Sequence, residues 1–307
     1  MTSDPCTTLP PNPDVAGVGI RILVYAQAFL SFVAPLLATI DGKIVVEGEE
    51  RSEILQIENL LLSLGLATTA LAQSRSNALS VYHAMIVSIM GWMLEGPLIF
   101  ISCSTIFRAV GGWALRCLRK NSRNQAFDAI HQHGWVPYEM ALSRILHGIF
   151  GTLLWNTINT FGGDKLSKCT DSTYFFWNIS VFKKFCRAIS LIFHVVRAVD
   201  GMLGLFTNGF LAWTTPRRGS TIVMDRLVVR YRLGFAAIIL VLPLVSTEIM
   251  VWKNSKNLVA PEERIWGFAQ ILAVWMIVSQ VREACLAVWN WMWPSSKKQQ
   301  PSEFRIG

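Results

Sequence analysis

Charged side chains are scarce in this sequence. Asp, Glu, Lys and Arg make up 16% of it, against about 25% in soluble domains. The hydrophobic share is 52%, and it is gathered into several apolar runs of roughly 20 residues, the length that crosses a bilayer as a helix. Together these exclude a large soluble core and indicate lipid as the solvent. Ten-residue segments of alternating polarity, the mark of a membrane β-barrel, are missing. Backbone groups in lipid must be satisfied within their own segment. The fold class expected is therefore all-α, an integral membrane bundle of about seven transmembrane helices.

Familiar catalytic signatures are missing too. There is no G-x-G-x-x-G, no P-loop, no H-E-x-x-H and no G-x-S-x-G. The aspartate-rich pairs that hold Mg²⁺-diphosphate are absent, which argues against metal-dependent diphosphate chemistry. No cofactor and no metal site are expected. The six cysteines, Cys6, Cys103, Cys117, Cys169, Cys186 and Cys285, form no C-x-x-C or metal-ligand spacing. Cys6 and Cys169 fall on the same expected side, the outer one, and are either a disulfide or two free thiols. A basic n-region is lacking at the start, so the first span is expected to stay as a signal anchor.

The net charge is +8, but it is concentrated in particular loops. It reads as membrane topology and contact with anionic lipid, not as nucleic-acid binding. Residues 1–17 are an irregular extracytoplasmic tail, 18–293 a seven-helix transmembrane domain and 294–307 a disordered cytoplasmic tail. The expected spans are Val18–Ile40, Ile54–Gln73, Ser80–Phe107, Met140–Phe161, Phe185–Trp213, Leu233–Trp252 and Ile265–Trp293. The short link after the second span predicts an antiparallel hairpin with the third, and Gly96-Pro97 predicts a kink. Two loops carry five basic residues each: Arg108, Arg116, Arg119, Lys120 and Arg123, then Arg217, Arg218, Arg226, Arg230 and Arg232. Both lie inside if the N-terminus is outside. The Asn178-Ile179-Ser180 sequon then lies outside.

Polar groups at bilayer depth cost about 2.5–3.5 kcal/mol each on insertion scales, so each needs a reason. Glu95 stands in mid-span on a stripe with Ala84, Ser88, Gly91 and Ser102, a small-residue face that packs on other helices. Burial disfavours a bare carboxylate. Glu95 is thus either a proton donor or a neutral acid hydrogen-bonded in the bundle, and Glu95→Gln is expected to keep the fold. The fifth span gathers Ser190, His194, Arg197, Asp200, Gly201, Gly204 and Asn208 on one face, opposite Ile192, Val196, Val199, Leu203, Phe206 and Phe210. That face lines a polar cavity or locks the bundle by an ion pair, and the spacing lets Arg197 pair with Asp200. Arg21, Glu58, Arg144, His147, Glu248, Arg282 and Glu283 lie near span ends and read as snorkelling or interfacial pairs. His83 reads as a packed, hydrogen-bonded residue. Most of the twelve tryptophans, including Trp155, Trp213, Trp252, Trp266 and Trp289, fall where an aromatic belt is expected. Trp92 and Trp275 lie deeper, for core packing or a cation–π role.

The stretch NPDVAGVGIRILVYAQAFL resembles the opening of a group of fungal multi-span membrane proteins that accompany secondary metabolism. LSVYHAMIVSIMGW and WGFAQILAVWMIVSQVRE are similar to later segments of that group. In size, span count and lack of Mg²⁺ motifs the chain also resembles the ascofuranone-type membrane terpene cyclases of meroterpenoid pathways. The resemblance implies acid-initiated cyclisation, as an isomerase or lyase, of a prenylated, epoxidised substrate by a membrane-embedded carboxylic acid. By its environment Glu95 takes that place, Asp200 or His194 is the base, and Arg197, Trp92 and Asn208 contact substrate. The expected partners are the lipid bilayer and a lipophilic small molecule, with no nucleic acid, and the expected location is the endoplasmic reticulum or another endomembrane. A transporter or channel, and a receptor-like membrane protein without enzymatic activity, are the alternatives.

Overall fold

A computed structural model of the chain describes residues 12–40, 43–44, 50–97, 136–162, 174–175, 179–180, 183–212, 222–223, 226–254 and 268–293. Every apolar run read from the sequence is helical within these limits. A single turn, α1 (Pro13–Ala16), leads into α2 (Val18–Ile40). Then come α3 (Glu50–Arg75), α4 (81–97), α5 (Val136–Asn156), α6 (Lys184–Ala212), α7 (Arg226–Asn254) and α8 (Phe268–Met292). The architecture is all-α. Its only β-structure among the described residues is two-residue pairings in the links: β1 (Lys43–Ile44) with β4 (Ile222–Val223), and β2 (Tyr174–Phe175) with β3 (Ile179–Ser180), both antiparallel.

Pro13 opens α1 at a position where its missing N–H is no loss. The α3–α4 hairpin turns at Asn77, which has a left-handed φ of 54°, a conformation that Asn tolerates better than most residues. Ser80 caps α4: its Oγ accepts from the backbone N–H of His83 at 3.3 Å and also lies 2.7 Å from His83 Nδ1. His83 is therefore a capped, hydrogen-bonded residue. Three helices start several residues earlier than their apolar runs do, among them α5 at Val136. α3 begins at Glu50 and α7 at Arg226, so the last part of what reads as charged loop continues the helical hydrogen bonding.

Contacts between helix ends fix the up-and-down order. Asn12 Nδ2 donates to Gln73 Oε1 at 2.6 Å, joining the start of α1 to the end of α3. Arg21 near the start of α2 meets Glu248 near the end of α7 at 2.6 Å. Arg187 at the start of α6 donates to the Asn156 carbonyl at the end of α5 at 2.6 Å. At the opposite level, Arg144 of α5 pairs with Asp200 of α6, and β1–β4 ties the α2–α3 link to the α6–α7 link. From α2 to α7, successive helices run antiparallel.

α4 is the centre. Each residue from Leu79 to Pro97 is buried except Trp92, which is half-buried. A helix apolar all round belongs inside, so the small-residue stripe is only part of what neighbours cover. The main core cluster joins α4 to Leu23, Val24 and Ala28 of α2, Phe150 and Leu154 of α5, and Met250 of α7. Trp155, expected in an aromatic belt, instead lies 1% exposed in this core, because it faces inward from the end of α5. Trp252, Trp289 and Trp293 are exposed near helix ends, as a belt requires.

α6 divides as its sequence divides. Ile192, Val196, Leu203 and Phe206 are each more than half exposed, whereas His194, Arg197 and Gly201 are buried. Three stretches among the described residues are long and apolar enough to cross a membrane: Pro13–Val33, Lys184–Phe206 and Gly234–Lys253.

Candidate functional site

Four helices converge on Glu95. α5 and α6 form the most extensive helix pair among the described residues, and glycines make it possible. A Cβ on Gly148 would stand 2.7 Å from the backbone nitrogen of Ala198, and one on Gly201 would stand 2.7 Å from the Ala141 carbonyl oxygen. The backbones meet where side chains are missing, as small-residue seams allow. Two further glycines seat imidazoles. The His147 ring occupies the space where a Gly91 Cβ would be, at 2.2 Å, and the His194 ring does the same at Gly151, at 2.1 Å.

The result is a buried polar chain. Arg197 Nη2 of α6 lies 2.6 Å from Glu95 Oε1 of α4, with the two side chains 7% and 2% exposed. Ser143 Oγ of α5 donates to the same carboxylate oxygen at 2.6 Å. Ser63 Oγ of α3 lies 2.9 Å from Ser143 Oγ and 2.9 Å from His147 Nε2. His147 Nε2 is also 3.1 Å from the Ser63 carbonyl oxygen. A carbonyl can only accept, so Nε2 carries the hydrogen. The directions are then determined along the whole chain: His147 donates to Ser63, Ser63 to Ser143, and Ser143 to Glu95. His147 Nδ1 is left as a buried acceptor.

Four buried nitrogens here have no hydrogen-bond partner among the described residues: His147 Nδ1, His194 Nδ1, Arg197 Nη1 and Arg197 Nη2, the last still at ion-pair distance from Glu95. A buried polar atom left unpaired costs about 1–3 kcal/mol. The guanidinium nitrogens are donors and suit an oxygen-bearing guest, whereas His147 Nδ1 is an acceptor and suits a proton. Trp92 closes one flank. Its ring lies 4.2 Å from that of Phe193, and Arg197 Cζ is 5.7 Å from the Trp92 centroid, within cation–π range. No group of three or more His, Cys, Asp and Glu side chains that could hold a metal ion occurs among the described residues.

Of the residues singled out in the sequence, the structure brings together Glu95, His194, Arg197 and Trp92. Asp200 stands apart. It pairs with Arg144 and keeps a side chain 56% exposed, so the Arg197–Asp200 pairing that helical spacing allows is replaced by two cross-helix pairs. Asn208 lies in the last turns of α6, whose side chains are outside the described residues, as are Ser102, Trp275, the Cys6 and Cys169 pair, the loop from 108 to 135 and the tail after 293. Sequence reading missed His147, Ser143 and Ser63 as members of the site. Ser143 and His147 are four apart on α5, a one-face spacing that marks them once α4 is known to lie opposite.

No known protein family, curated protein or solved structure matches the chain. The likeness to fungal membrane cyclases therefore brings no family assignment, and the site stands on its own geometry.

Proposed function

We propose that the chain is a multi-pass endomembrane protein with seven spans, and that it is an enzyme closing rings on a prenylated, epoxidised lipophilic substrate by acid–base chemistry, without a metal. The observation that supports this most is the hydrogen-bonded line from His147 through Ser63 and Ser143 to Glu95, ending on Arg197 inside an apolar bundle. In this reading the epoxide oxygen docks on the unpaired Nη1 of Arg197. Glu95 is charged while it faces Arg197; a proton taken up at His147 Nδ1 sends the Nε2 hydrogen along the serine line to Glu95. The proton passes from Glu95 to the epoxide oxygen as the C–O bond breaks, and the chain's own alkene attacks the carbon left behind. His194 Nδ1 takes the proton lost from the final cation, and Trp92 faces that cation with its ring. The reaction is an isomerisation: one proton enters from the medium at His147 and one returns to the medium from His194, so the enzyme ends each turnover as it began.

The experiment is turnover of an epoxidised prenyl substrate in microsomes. Glu95→Gln removes the proton donor, and general acid catalysis contributes about 10²- to 10⁴-fold. It also leaves Arg197 without its counter-charge, contrary to the expectation that Gln preserves the fold. The informative variant is therefore Glu95→Gln combined with Arg197→Met, which is neutral and well packed. It is expected to express and to show no turnover. Turnover near that of the wild type in this double variant refutes the catalytic assignment.

A further inference from the structure

The burial of α4 has one break. From Leu79 to Pro97 each residue is buried except Trp92. Across the seam its ring meets that of Phe193 of α6, with centroids 4.2 Å apart, and Phe193 is 38% exposed. Phe193 stands near the middle of the apolar stretch Lys184–Phe206, and Ile189, Ile192 and Val196 around it are each more than half exposed. In a bilayer the seam therefore opens near mid-depth, among side chains that face lipid. α4 and α6 run parallel, so their contacts advance together. Trp92 meets Phe193, and one turn further on Glu95 meets Arg197 at 2.6 Å. Arg197 Cζ is 5.7 Å from the Trp92 centroid. The two rings thus stand between the lipid-facing edge of α6 and the buried pair. A turn beyond Arg197, the Arg144–Asp200 ion pair marks the polar end of the same seam.

The geometry points to an entrance from the bilayer: the lipophilic substrate reaches Glu95 laterally, between α4 and α6, and the Trp92–Phe193 ring pair is its gate. A ring pair suits that task. It adds only about two- to tenfold to the closed state beyond ordinary apolar burial, so it opens readily. A prenyl chain that displaces Phe193 exchanges one apolar contact for another, whereas water gains nothing there. The acid stays dry while the gate is shut. Phe193 lies four residues before Arg197, on the same side of α6, so a chain passing it arrives at the guanidinium. An entrance of this kind requires the bilayer setting and the lipophilic substrate proposed above, but not the ring closure.

The test uses the full-length protein in lipid nanodiscs, with a farnesyl chain bearing a photoreactive diazirine dissolved in the lipid. After illumination, labelled residues are mapped by mass spectrometry, and turnover of the epoxidised substrate is measured in parallel. Labelling of α4 at and next to Trp92 is expected in the wild type. Phe193→Ala removes the ring pair and is expected to raise the labelling rate of α4 by about two- to tenfold. Phe193→Leu, which keeps most of the apolar bulk, is expected to raise it too. Ile192→Ala, on the lipid-facing side of α6, is expected to leave it unchanged. Equal labelling of α4 in the wild type and both Phe193 variants overturns the gate. So does an equal rise in Ile192→Ala, since that identifies a general loosening of α6. Labelling that responds as expected in a protein without turnover upholds the entrance and refutes the cyclase reading alone.

Discussion

Arg197 and Glu95 form a thermodynamic cycle that tests the architecture directly. With side chains 7% and 2% exposed, both charges have left water. Removing one partner of such a pair typically costs about 3–5 kcal/mol, because the other is left buried and uncompensated. Arg197→Met leaves Glu95 with the Ser143 hydroxyl as its one remaining donor among the described residues. Each kcal/mol moves Tm by about 2–4 °C in a chain somewhat shorter than this one. Arg197→Met is therefore expected to lower Tm by on the order of 10 °C. Adding Glu95→Gln removes the stranded charge. Replacing a buried pair by neutral groups of similar volume is often neutral or stabilising, so the double variant is expected within about 1 kcal/mol of the wild type. The assay is thermal unfolding of the purified protein in detergent, across the wild type, both single variants and the double. Additive losses, with the double variant the least stable of the four, refute the pairing of α4 with α6 through these residues.

Other outcomes follow from the same geometry. Gly91→Ala places a methyl group 2.2 Å from His147 Cε1; it is expected to cost about 1–3 kcal/mol by overpacking, read as lowered Tm, and to reduce turnover by displacing the imidazole from Ser63. Asp200→Asn breaks the pair with Arg144, but with Asp200 56% exposed the expected change in stability is below about 1 kcal/mol, and a loss comparable with that of Arg197→Met would place Asp200 inside the bundle. Cysteines introduced between residues 108 and 135 are expected to react with a membrane-impermeant thiol reagent once the plasma membrane alone is permeabilised; protection until the endomembranes are opened as well reverses the orientation.

The helices were legible because their apolar runs are long and uninterrupted. α2 occupies the residues that its run marks, Val18–Ile40. Helix starts were less legible, since Glu50 and Arg226 are polar residues that extend a helix outward and leave no mark in hydropathy. The site was half visible. Glu95, His194 and Arg197 are conspicuous as charges or imidazoles in apolar surroundings. Ser63 and Ser143 are not, because a hydroxyl in a helix satisfies itself locally as readily as across a seam, and His147 stands near the start of its apolar run, where it reads as interfacial. The pairing of Arg197 was misread for a related reason. Spacing along one helix ranks Asp200 as its neighbour, and only the approach of α4 shows that Glu95 lies nearer. Gly91 admits His147 of α5 against α4, and Gly148 and Gly201 bring α5 onto α6, but which of the chain's glycines face a neighbour depends on which helices are adjacent.

The enclosure of α4 has a bearing on how the protein is made. Arg197 follows Glu95 by roughly 100 residues, and synthesis proceeds at about 5–20 residues per second. Under the membrane reading, α4 enters the bilayer about 5–20 s before its counter-charge exists. Through that interval the nascent hairpin of α3 and α4 holds an acid in lipid at a cost of about 2.5–3.5 kcal/mol, before Ser143 and Arg197 are available to it. Retention of the early hairpin by the insertion machinery until α5 and α6 emerge is the consequence, and a chain truncated before residue 184 should remain bound to that machinery longer than the full-length protein does.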